Sequence, residues 1–139
     1  MTNQRGSPGS DTPPGAALLG REWLGLDDAG DVGTLRFLAQ PSFANRHGTI
    51  QGGFLAAMLD SATGVRALAA LPPEKTAVTV SLDTRFLKPA RPGILTARAR
   101  VSEQSERDIV VTADLSDEAG VVVASATARL RILDRKRSP

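Results

Sequence analysis

The stretch Asn45-Arg-His-Gly-Thr-Ile-Gln-Gly-Gly-Phe-Leu-Ala-Ala-Met-Leu-Asp60 concentrates the residue types of this chain that could do chemistry. Gln51-Gly52-Gly53 stands where an apolar helical run begins. At a helix start the first backbone N–H groups have no partner within the helix, and the helix dipole favours negative charge there. Glycines let a ligand approach that backbone closely. The pair therefore serves either as an oxyanion site or as a tight turn into the helix. Asp60 is the second feature. It is the only ionisable residue between Gly53 and Arg66. Aspartate is a poor helix former and is almost never fully buried without a partner. It is either a structural residue bonded to Ser61, Thr63 or a strand hydroxyl, or a group kept for reaction. Gly52 and Asp60 are eight residues apart, roughly 12 Å along one helix. One helix cannot easily bring both to one carbonyl group. Two antiparallel copies about a two-fold axis could, so the spacing points to a dimer with interfacial sites.

The elements that must position these residues follow from periodicity. Phe54, Leu55, Met58, Leu59, Ala62, Val65 and Ala69 recur at helical spacing, which predicts one long helix over Gly52–Ala70. So little charge along it predicts burial nearly all round, and Pro72-Pro73 stops it. Residues 1–15 have three Gly, three Pro, two Ser and no Leu, Ile, Val or Phe. They read as a disordered leader, with 16–139 as one domain. Leu18, Leu19, Trp23 and Leu26 predict about two helical turns over Ala16–Leu26, weakened by Gly20 and Gly25. Val32–Leu38 reads as a first strand. After the helix, Val78, Val80 and Leu82 are expected on one strand face, with Thr79, Ser81 and Asp83 on the other. Alternation continues through Leu95–Val101, Ile109–Leu115 and Val122–Ile132, with a hairpin turn at Asp117–Gly120. The fold class is α+β: an antiparallel sheet of about five strands wrapped around one long central helix.

Composition removes several functions. The chain has 139 residues and no cysteine, so thiolate nucleophiles, disulfides and cysteine-based zinc sites are excluded. No apolar run reaches the roughly 18 residues of a membrane span, and the N-terminus lacks a secretory pattern, so a cytoplasmic protein is expected. Net charge is +2, aromatics are 4% and tyrosine is absent, which argues against a base-stacking nucleic-acid platform. Residues 71–100 hold six basic groups (Lys75, Arg85, Lys88, Arg91, Arg98, Arg100) against Glu74 and Asp83. That excess either suits a phosphorylated small ligand or is a solvated strand face. Arg135-Lys136-Arg137 is read as a solvated basic tail.

The Asn45–Asp60 stretch, followed by Phe86-Leu-Lys-Pro-Ala-Arg-Pro-Gly93, resembles the hotdog-fold acyl-CoA thioesterases. It is most similar to their phenylacetate-degradation and 4-hydroxybenzoyl-CoA (Arthrobacter-type) branch. The resemblance covers about residues 30–133. It implies a hotdog fold, an acyl-CoA substrate, no separate cofactor or metal, and a homodimer that often pairs into a tetramer. By position, it implies that Asp60 attacks the thioester carbonyl or activates water, and that the Gly52 N–H polarises the carbonyl. It also implies that Asn45 helps hold the thioester or water and that Thr79 assists the nucleophile. Gly53, Gln51 and His47 fall at the substrate, and Lys88 and Arg91 match where cations meet CoA phosphates. The family's commonest residue before Gly-Gly is His, and here it is Gln51, which cannot exchange a proton near neutral pH.

Two rival functions accompany this reading. A hydratase or dehydratase needs a histidine paired with an acid. His47 precedes Asp60 by 13 residues, but Gly48-Thr49-Ile50 stands where a Pro-rich turn is wanted. A non-catalytic acyl-CoA-binding dimer is the other, and Gln51 alone leans that way. Fold by itself decides none of these.

Overall fold

A computed structural model describes residues 12–136. A short helix α1 (Pro14–Leu18) leads into β1 (Glu22–Leu26) and β2 (Gly33–Ala39). A 3-10 turn (Pro41–Phe43) precedes the long helix α2 (Gly52–Ala69). Four strands follow: β3 (Lys75–Phe86), β4 (Gly93–Gln104), β5 (Asp108–Ser116) and β6 (Val122–Asp134). They form one six-stranded sheet in the order β1-β2-β4-β5-β6-β3, antiparallel throughout. The sheet wraps α2 in the hotdog arrangement. No helix among the described residues is long and apolar enough to cross a membrane.

Leu55, Met58, Leu59 and Ala62 of α2 are buried against Leu35, Phe37, Leu95, Ile109, Val111, Leu115 and Leu130 of the sheet. Between these larger groups lie Ala97, Ala99, Ala113, Ala124, Ala126 and Ala128, all buried. Their small side chains let the helix approach the sheet closely, so core packing fixes its position.

Five expectations need correction. The sheet has six strands, because Ala16–Leu26 is not one helix. Gly20, at φ 64, ends the helical turn in a left-handed conformation, and Glu22–Leu26 then pairs with β2. The leader expected over 1–15 overlaps α1, which starts at Pro14 and buries Ala16; the part of that expectation on residues 1–11 lies outside the described ones. Third, α2 is not enclosed on all sides within one chain. Gly53, Ala57, Asp60 and Leu68 are exposed, since a single sheet covers only one side of a helix.

The fourth concerns β3. Thr79 pairs with Leu130 and Ser81 with Arg129, leaving Val80 as the extra residue of a bulge. Ala77, Thr79 and Leu82 therefore share the helix-facing side with Leu130 and Ala128, while Val78 and Ser81 face away. Simple alternation puts Thr79 on the wrong face. Beyond the strands, Arg135 is not merely solvated. Its guanidinium donates to the carbonyls of Pro73 and Lys75 at 3.0 and 3.1 Å.

Candidate functional site

The loop before α2 is built around Asn45. Its Oδ1 accepts from the His47 amide (2.9 Å), the Thr49 amide (3.2 Å) and Thr49 Oγ1 (3.3 Å). An amide oxygen engaged this way leaves only the NH2 end free to donate outward. The loop is then tied to its surroundings. Gln51 N–H donates to the Phe43 carbonyl (3.0 Å) and Ile50 N–H to the Ala90 carbonyl (2.8 Å). Phe43 and Phe54 stack with ring centroids 4.2 Å apart. The Ile50–Ala90 bond joins this loop to the Phe86–Gly93 segment, so both halves of the sequence motif meet at one end of the molecule.

Helix α2 starts there with open donors. Gln51 is its N-cap, but the side chain makes no capping bond. Neither the Gly52 nor the Gly53 amide donates to another group among the described residues. The ring of Phe86 lies over Gly52: an added Cβ would sit 3.2 Å from its Cζ. A side chain at Gly52 would make the ring give way by a few tenths of an ångström, and neither Gly52 nor Gly53 has a positive φ. The result is a pair of free N–H groups at the positive end of an 18-residue helix, a ready acceptor of developing negative charge.

Asp60 lies two turns further along. It is exposed, not buried as its apolar surroundings suggest. Thr79 Oγ1 donates to its Oδ1 at 2.9 Å, a contact made possible by the bulge at Val80. The other oxygen is free of bonds among the described residues. Asp60 and Thr79 are thus brought together, whereas Gly52 and Asp60 remain at separate places on α2. His47, Lys88 and Arg91 are exposed beside the Gly52 end, and so is Arg46, which the sequence reading passed over.

Two further residues went unseen. Arg66 is buried on α2, and its guanidinium donates to the carbonyls of Asp31 (3.0 and 3.2 Å) and Gly30 (3.5 Å) in the β1–β2 turn. Arg21 donates to Ser61 Oγ at 3.1 Å. No spacing rule marks either, because their partners lie 35 to 40 residues away. Among the described residues, no cluster of three or more His, Cys, Asp or Glu is arranged to hold a metal ion.

Comparison with known proteins places this geometry in a family. The pattern described as "Thioesterase superfamily" matches residues 47–124. A phenylacetic acid degradation-related protein of Ralstonia eutropha JMP134 is 33% identical, with a TM-score of 0.82 over 88% of this chain and 93% of that one. A Bacillus halodurans protein solved with CoA is 29% identical, with a TM-score of 0.74 over 85% of this chain and 74% of that one. The Escherichia coli PaaI protein of the phenylacetic acid degradation operon shares the fold. Its TM-score is 0.80 at 20% identity, over 93% and 91% of the two chains. No curated protein matches. The family match covers more than half of the chain, spans the Gly52 amides, Asp60 and Thr79, and agrees with the fold: this chain belongs to the thioesterase superfamily.

Proposed function

We propose that this protein hydrolyses acyl-CoA thioesters as a homodimer with two shared sites. The observation that carries this reading is the separation of the two halves of the machinery on α2. Open amides lie at Gly52 and Gly53, and a carboxylate held only by Thr79 lies at Asp60. Neither half is sufficient alone. Two features favour a partner that joins them. The outward face of α2 is uncovered, and β3 is an edge strand whose Val78 and Val80 are 46% and 54% exposed. Antiparallel α2 helices would set Gly52 of one subunit beside Asp60 of the other. Two such dimers then have free sheet faces for a tetramer.

In this site the thioester oxygen accepts from the Gly52 N–H, and negative charge grows on it as the carbonyl carbon becomes tetrahedral. Asp60 supplies the attack by one of two balanced routes. As a base it takes a proton from water while the hydroxide adds to carbon. The C–S bond then breaks and the CoA sulfur recovers that proton. As a nucleophile, its oxygen adds to carbon and expels CoA thiolate, and water cleaves the resulting anhydride. A single turnover in 18O-water that leaves label in Asp60 establishes the second route with water attacking the Asp60 carbonyl carbon, and trapping the anhydride with hydroxylamine tests for attack at the substrate acyl carbon. Thr79 positions the carboxylate, the Asn45 amide is directed at the water or thioester, and Gln51 and Gly53 line the thioester site. His47, Lys88 and Arg91 lie on the side where CoA phosphates would enter. The substrate class favoured is an organic acid carried on CoA, as the resemblance to the phenylacetate-degradation and 4-hydroxybenzoyl-CoA branch implies.

The test is a panel of acyl-CoAs incubated with the full chain and a thiol reagent. Release of CoA with saturation kinetics supports hydrolysis. CoA binding without release would instead establish a binding protein, and hydration of an enoyl-CoA would establish the hydratase chemistry. The Gly48-Thr49-Ile50 run after His47, in place of a Pro-rich turn, disfavours the latter.

A further inference from the structure

Arg21 sits between Gly20 and β1, next to α2. Its side chain is half-buried, and burial pushes its guanidinium down from the ordinary value. Arginine nevertheless stays protonated in proteins and carries five N–H donors. Among the described residues it forms no ion pair, and its one side-chain partner is the neutral hydroxyl of Ser61 at 3.1 Å. Ser61 directly follows Asp60. A permanent cation without an ion pair among the described residues thus stands at Ser61, one residue along α2 from Asp60 and towards the sheet margin opposite Thr79. A charge withdrawn from water without a counter-charge is costly to keep.

In the shared site proposed above, the partner segment that would face Ser61 offers no counter-charge. If Gly52 lies beside Asp60 of the partner subunit, the antiparallel pair is centred on position 56, and Ser61 faces Gln51 of the partner subunit. Residues 45–59 contain no Asp or Glu. The phosphates of CoA are poorly placed too, because they hang at the far end of the pantetheine arm from the thioester. The remaining source is the acyl group itself. A carboxylate matches the guanidinium fork in two parallel hydrogen bonds.

We propose that Arg21 is a specificity-determining residue that selects acyl-CoA substrates whose acyl group carries a second carboxylate, bound beside Ser61 on α2. This rests on the proposed shared thioesterase site and names its substrate class. The neutral hydroxyl of Ser61 holds the guanidinium in place without neutralising it, leaving the remaining donors for the acid.

The experiment compares glutaryl-CoA with pentanoyl-CoA, which differ only in a terminal carboxylate replacing a methyl group. Wild-type kcat/KM is expected to favour glutaryl-CoA by about tenfold or more, the worth of one charge-assisted hydrogen bond. Arg21→Gln should bring the ratio close to one, and Arg21→Lys should restore part of it. Titration calorimetry of wild type with both thioesters reads the same preference as a difference in Kd, so the proposal is tested even if turnover fails. Equal or reversed preference in wild type overturns it whatever the variants do. A preference that survives Arg21→Gln overturns it as well. Failure of both thioesters and of the whole acyl-CoA panel to be hydrolysed, with glutaryl-CoA still bound the tighter, overturns the thioesterase reading and leaves the Arg21 assignment standing.

Discussion

Asp60→Asn separates chemistry from structure more cleanly than any other change in this chain. Asn keeps the size of Asp and keeps an oxygen to accept the 2.9 Å bond from Thr79. The position is exposed within one chain, and the two residues have similar size and helix propensity. The stability change should stay within about 0.5 kcal/mol, which moves the thermal midpoint of a chain this size by roughly 2 °C or less. What disappears is the basic, nucleophilic carboxylate. Loss of a general base costs on the order of 100- to 10,000-fold in kcat, equivalent to about 3–5 kcal/mol of barrier. The assay is CoA release under saturating acyl-CoA, with melting and sedimentation run on the same preparations. Turnover within threefold of wild type, at an unchanged melting temperature, would refute the assignment of Asp60 and the mechanism built on it.

Gly52→Ala would put a methyl group 3.2 and 3.3 Å from the Phe86 ring, displacing either the ring or the helix start. We expect a roughly 10- to 100-fold loss of kcat/KM, partly recovered by adding Phe86→Ala, as read by steady-state kinetics. Mixing separately impaired Asp60→Asn and Gly52→Ala subunits should raise activity above that of either, because one site of each mixed dimer carries neither change; no gain after verified subunit exchange rules out a shared site. Arg66→Ala removes charged donors from the carbonyls of Gly30 and Asp31 and should destabilise by about 2–3 kcal/mol in urea unfolding. Arg131 donates to Asp108 at 2.8 Å and holds that carboxyl below its usual range. A lowered folded-state value gives stability that is present above the unfolded-state value and lost as pH falls through the folded one. Asp108→Asn should therefore flatten the decline of melting temperature on acidification below about pH 4, and an unchanged slope would show the pair contributes nothing.

Much of the architecture is written in local patterns. The span of α2 follows from the helical spacing of Leu55, Met58, Leu59 and Ala62, and the last hairpin turn from Asp117–Gly120, because both depend on neighbours a few residues away. The first 26 residues were harder to read. Leu18, Leu19, Trp23 and Leu26 fit a helical stripe, yet Gly20 at φ 64 breaks it, and pairing with β2 claims the second half. Strand pairing across the sheet overrides such weak local preference. The site shows the same division. Gly52 and Asp60 stand out by their own chemistry and spacing. The face of Thr79 depends on a bulge that alternation cannot reveal, and Arg21 and Arg66 act on groups 35 to 40 residues distant. Exposure of Asp60 was missed because an apolar helix implies cover on every side, whereas one chain covers only part of it.

The contacts flanking α2 also bear on how stiffly the helix is held. On one margin of the sheet Thr79 grips Asp60, and on the other Arg66 locks onto the β1–β2 turn while Arg21 holds Ser61. A cylinder fastened along both sides resists rolling about its own axis. With side chains reaching about 5–6 Å from that axis, a roll of only 10° would swing the Asp60 carboxylate by about 1 Å, a displacement that can cost 100-fold in rate. Torsional rigidity of a single helix, set by three polar fasteners of which only Thr79 touches the carboxylate, thus governs how accurately the carboxylate is aimed. Loosening the remote Arg66 fastener should broaden that aim, and activity would decline before the fold gives way.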